Sequence, residues 1–108
     1  MIMHVQHDVF IDGIHTQQKL RIRFFSEDDG SYIERVCAPM DYALGKKIRD
    51  GIPRYWVWDF ESDKFDHTLP IRAERIDYIV NVGEYFDPGT FVSWSPTWTI
   101  KRDWGHLS

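Results

Sequence analysis

Lys19, Arg21 and Arg23 are the side chains most readily matched to a chemistry. They alternate with Leu20, Ile22 and Phe24, so a strand over 19–25 would carry three cations on one face and three apolar groups on the other. Cations spaced in this way stand roughly 7 Å apart along the strand, a separation that suits phosphate oxygens. The ordinary alternative is a solvated strand face. Catalytic signatures are missing: the chain has no Gly-x-Ser-x-Gly, phosphate loop, His-Glu-x-x-His or paired cysteines, and an enzyme is not expected. His4, His7 and His15 lack the i, i+4 arrangement of a helical metal site and are expected at the surface. Asp59, Glu61, Asp63, Asp66 and His67 fall mostly in a predicted turn, where solvated carboxylates are the usual outcome. Neither a metal nor a cofactor is therefore expected.

Composition bounds the rest. A chain of 108 residues supports a single domain with one core. Its 43% hydrophobic and 16% aromatic content is that of a folded protein rather than a disordered one. The formal charge of −4 argues against a domain that holds nucleic acid by overall basicity, so any such binding must come from a local patch. No apolar run approaches the roughly 20 residues of a membrane span, and no secretory signal is visible. A single cysteine, Cys37, permits no internal disulfide. It is expected as a small core residue in a reducing cytoplasm.

Positioning these residues requires a helix and five strands. The spacing of His7, Phe10, Ile11, Ile14 and Gln18 predicts a helix over 5–18, with Gly13 in its interior hinting at close packing. After the strand at 19–25, Asp29-Gly30 marks a hairpin turn and 32–37 returns as a second strand. Residues 38–53, with Pro39, Gly45, Gly51, Pro53 and the cluster Lys46-Lys47-Ile48-Arg49, form the longest irregular segment, either functional or disordered. Residues 54–60, Arg-Tyr-Trp-Val-Trp-Asp-Phe, predict a central strand with Trp56, Trp58 and Phe60 facing the core and Tyr55, Val57 and Asp59 on a free face. A strand over 65–72 contains Pro70 and belongs at an edge. Another follows over 76–82, and Asp87-Pro88 caps a short helical turn. Trp94, Trp98 and Trp104 would be costly exposed, so the tail is expected to fold back or meet a partner.

The order of motifs resembles the WYL domain family over roughly residues 9–87. A helix runs into the basic strand Lys19-Leu20-Arg21-Ile22-Arg23-Phe24-Phe25, and the Arg-x-x-x-Pro pattern of Arg35 and Pro39 follows a glycine turn. An aromatic strand with Tyr55, the pair Arg75-Ile76 and Phe86 come next. At the family's naming triplet the chain reads Arg54-Tyr55-Trp56. His67 or Leu69 would stand where the family carries an arginine, with Arg72 nearby. The resemblance implies a small SH3-like or Sm-like five-stranded barrel over about 19–83, with an extension over 84–108. It also implies a basic and aromatic pocket for a nucleotide or a short single-stranded nucleic acid, in a transcription-regulating role exerted through a partner chain.

On that footing the ligand-binding set is Arg21, Arg23, Arg35, Tyr55 and Arg75, with Lys19 and Arg72 as outer members. Arginine offers planar forked donors to phosphate, and Tyr55 a face on which a base can stack. These arginines could instead pair with Glu34, Asp59 and Glu74 across strands. A second reading of the whole chain is a protein-interaction or homodimerisation module that uses the Trp-rich extension.

Overall fold

The computed structural model describes residues 3–62 and 67–108. Helix α1 (His7–Thr16) precedes strands β1 (Gln18–Ser26), β2 (Ser31–Ala43), β3 (Arg54–Asp59), β4 (Thr68–Ile71) and β5 (Ile76–Tyr85). They form one antiparallel sheet in the order β4-β3-β2-β1-β5. Among the described residues no pairing joins β4 to β5, so the sheet is open there. The expected beginning of the fourth strand at Phe65, together with Asp63, Lys64 and Asp66, lies outside the described residues.

β1 follows its alternation: Leu20, Ile22 and Phe24 are buried, and α1 lays Phe10 and Ile14 into the same core. Gly13 marks a close approach, since a Cβ there would stand 3.1 Å from Pro39 and 3.2 Å from Leu20. The β1–β2 turn uses Gly30 at φ 65°, where L side chains are strained. Cys37 lies fully buried, and burial pushes its thiol well above its ordinary pKa, which suits a packing role. Pro70 sits on β4, an edge strand, as its missing donor requires. Asp87 accepts from Gly89 N at 2.9 Å and caps the short turn Pro88–Thr90.

Three expectations fail. β2 does not stop at Cys37 but runs on to Ala43, with a register shift between Pro39 and Asp41. The bulge lets a strand pass through a segment whose proline looked like a break. β2, not β3, is central in the sheet. On β3 the faces are reversed: Tyr55, Val57 and Asp59 are at most 2% exposed, whereas Trp56, Trp58 and Phe60 are only half-buried. The small-and-polar set turns inward because α1 and Arg35 supply its partners. His4 N donates to the Tyr55 hydroxyl at 2.9 Å, His7 Nδ1 lies 2.9 Å from the same oxygen, and Arg35 Nε is 3.3 Å from Asp59.

The aromatic set faces the other way, where the tail covers it. Phe91 stacks on Trp58 at 5.1 Å, and Trp104 is buried against Phe86 with its indole N–H donating to Ile14 O at 2.8 Å. The tail is held to β2 by Asp41, which accepts from Thr99 N and Ile100 N, both at 2.9 Å. Arg102 lies between Trp98 and Trp104, 4.2 and 4.4 Å from the ring centres, and reaches Asp41 at 3.4 Å and Met40 O. Its side chain is wholly buried, and burial pulls the guanidinium down to about 10, still high enough to stay charged at neutral pH.

Candidate ligand cavity at the open seam

The open side of the sheet has a chemical consequence. Between the β4 edge and the end of β1 lies a cavity of about 390 Å³, within the range of small-molecule sites. Phe24, Leu69 and Ile71 supply apolar wall, and Arg54, Arg72 and Arg75 supply charge. Local structure explains how three arginines meet there. Arg54 opens β3, Arg72 follows the end of β4, and Arg75 closes the single turn Ala73–Arg75 that delivers the chain into β5.

Each guanidinium already has an acid beside it. Arg54 Nη1 donates to Asp50 Oδ1 at 2.7 Å and to Ile52 O at 2.8 Å. This hydrogen bond from Arg54 holds the Asp50 carboxyl down at about 2. Arg75 Nη2 reaches Glu27 Oε1 at 2.5 Å, and its guanidinium sits 5.4 Å from the Phe25 ring centre. Arg72 Nε is 2.6 Å from Glu74 Oε1, yet off the line of its N–H bond, so the buried Nε has no hydrogen-bond partner among the described residues. A guanidinium carries five N–H donors. One carboxylate leaves most of them available to an anion.

The remaining sequence-derived candidates do not converge on this cavity. Arg21 and Arg23 share the outer face of β1, opposite the buried Leu20 and Ile22. Arg23 pairs with Asp77 at 2.9 Å and lies over the Tyr32 ring at 4.5 Å. Arg35, level with Ile22 in the β1–β2 register, belongs to the other face, beside Asp59. Lys19 stands over Phe60 at 4.8 Å and 3.7 Å from Glu84. Tyr55 is not on a free face: it is fully buried beneath α1, 4.9 Å from Phe10 and 4.6 Å from Tyr42 between ring centres. Burial lowers the pKa of the neighbouring His7, whose Nδ1 lies 2.9 Å from the Tyr55 hydroxyl. The structure thus groups Arg72 with Arg75 and adds Arg54, which sequence reasoning placed only at a strand mouth. The signal for Arg54 was a strand beginning immediately after an acid–glycine–proline loop.

Against known proteins, the chain matches no family model, no curated protein and no solved structure. Among the described residues no group of three or more His, Cys, Asp or Glu could hold a metal ion, and no helix is long and apolar enough to cross a membrane.

Proposed function

We propose that this chain is a ligand-sensing domain of the WYL type, binding a nucleotide or the phosphates of a short single strand in the seam cavity and signalling through a partner chain. The observation that carries the reading is the meeting of Arg54, Arg72 and Arg75 around one cavity. Guanidinium forks match phosphate oxygens in geometry and charge. Phe24 and Phe25 offer apolar surface to a base or sugar on the same side. The fold is consistent with a small, partly open barrel, because an antiparallel meander whose fifth strand returns to the first has that connectivity. The domain is read as a binding module, not an enzyme. Interaction through an extended aromatic tail has less support, because Trp98 and Trp104 are engaged with Arg102 and with each other at 5.4 Å.

Titrating a fluorescently labelled oligothymidylate and a labelled nucleoside triphosphate at low and at physiological salt tests this reading. Arg72→Ala combined with Arg75→Ala is expected to weaken binding about tenfold or more, since charge-assisted forks are lost. Arg21→Ala combined with Arg23→Ala, on the outer face of β1, should leave it nearly unchanged. Absence of binding at low salt, or equal loss in the two pairs, rejects the seam as the site.

A further inference from the structure

A second cavity, of about 560 Å³, lies between the outer face of β3, the loop after β2 and the tail. We propose that it is a binding site for a small planar aromatic anion, such as an aryl carboxylate or sulfonate. The inference stands independently of the seam reading.

The walls favour flat rings. Trp56, Trp94 and Trp98 surround the space with Leu44 and Ile48. Two of the indoles are held in place by their own N–H groups: Trp56 Nε1 donates to Ala43 O at 2.9 Å and Trp98 Nε1 to Leu107 O at 2.7 Å. The loop wall is close-fitting, since a Cβ on Gly45 would stand 3.2 Å from both Ile48 and Trp56. Rigid aromatic walls stack on a planar guest at little entropic cost. Leu44 at 57% and Trp94 at 41% exposure are among the most exposed large hydrophobics of the domain, so a guest would remove apolar surface from water.

The charge favours an anion. Lys46 and Lys47 line the cavity and are exposed, and among the described residues neither is in an ion pair. Lys46 Nζ has only a long contact of 3.4 Å to Thr97 Oγ1. The one acid in the lining, Asp41, spends its oxygens on the amides of Tyr42, Thr99 and Ile100 and on Arg102. It therefore presents no bare negative charge to a guest. A volume of this size admits two or three fused or linked rings, and the two lysines select those that carry an acid group.

The test is titration of 2-naphthoate into the whole chain while the five tryptophan indole N–H signals are followed by NMR. Saturable shifts confined to Trp56, Trp94 and Trp98 are expected, with Trp58 and Trp104 still. Lys46→Ala combined with Lys47→Ala should weaken binding about fivefold or more, judged from the modest strength of exposed ion contacts. The uncharged 2-naphthalenemethanol should bind wild type more weakly by a similar factor. Arg72→Ala combined with Arg75→Ala should bind 2-naphthoate as wild type does, which separates this site from the seam. The proposal is overturned by absent or unsaturable shifts, by equal movement of all five signals, or by the alcohol binding as tightly as the acid.

Discussion

The seam cavity and the tail cavity share Ile48 as a wall but differ in what their cations are doing. At the seam three arginines each stand beside a carboxylate, and any anion must compete with Asp50, Glu74 and Glu27. At the tail two lysines have no ion pair among the described residues, while the ion pair of that region, Asp41 with Arg102, is buried and ties the tail to β2. One region keeps its charge pairs at the rim of the space and the other keeps its pair in the scaffold. Counting cations therefore ranks the seam first, whereas counting unpaired cations ranks the tail first.

The sharpest way to break this contrast is to remove the scaffold pair. Asp41→Ala leaves a wholly buried guanidinium without its carboxylate, and is expected to cost about 3–5 kcal/mol in urea unfolding. It should also abolish 2-naphthoate binding, since residues 99 and 100 lose their tie to β2. Arg54→Ala comes next. Arg54 is 8% exposed and bonded to Asp50 and Ile52, so a loss of about 1.5–3 kcal/mol is expected, as for hydrogen bonds to charged groups. Arg75→Ala should be far milder, about 0.2–1 kcal/mol, because both members of its pair are exposed. If Arg75→Ala destabilised as much as Asp41→Ala, the distinction between rim and scaffold pairs would be wrong.

The smallest effect expected is an acid titration confined to the seam. Arg54 holds the folded-state pKa of Asp50 near 2, below its ordinary 3.8. The contribution of this pair is therefore complete above pH 3.8 and lost as pH falls through 2. The carboxyl carbon of Asp50 should report that low midpoint by NMR, and Arg54→Ala should move it up toward 3.8. A midpoint unchanged by the substitution would mean that Arg54 is not its cause.

Legibility from sequence followed the chemistry of the faces. β1 was readable because one of its sets is wholly apolar and the other wholly cationic, so period two has a single solution. β3 was not, because both of its sets pack: Tyr55 and Asp59 under α1 and beside Arg35, Trp56 and Trp58 under the tail. An aromatic stripe then says that something covers it, but not which side is the core. The proline at 39 hid the second half of β2, since a bulge is invisible to pattern alone. The seam was half visible, through Arg72 and Arg75, which lie close together in the chain. Asp41 and Arg102, 61 residues apart, carry no local signature that joins them.

The hydrogen bond from Trp104 to Ile14 spans 90 residues, and this bears on the order in which the protein can be made. At about 5–20 residues per second, the helix leaves the ribosome roughly 5–18 s before its last partner does. Through that interval the Ile14 carbonyl lacks its indole donor, and Asp41 waits for Arg102. The packing of α1 is thus completed only once residue 104 has been added.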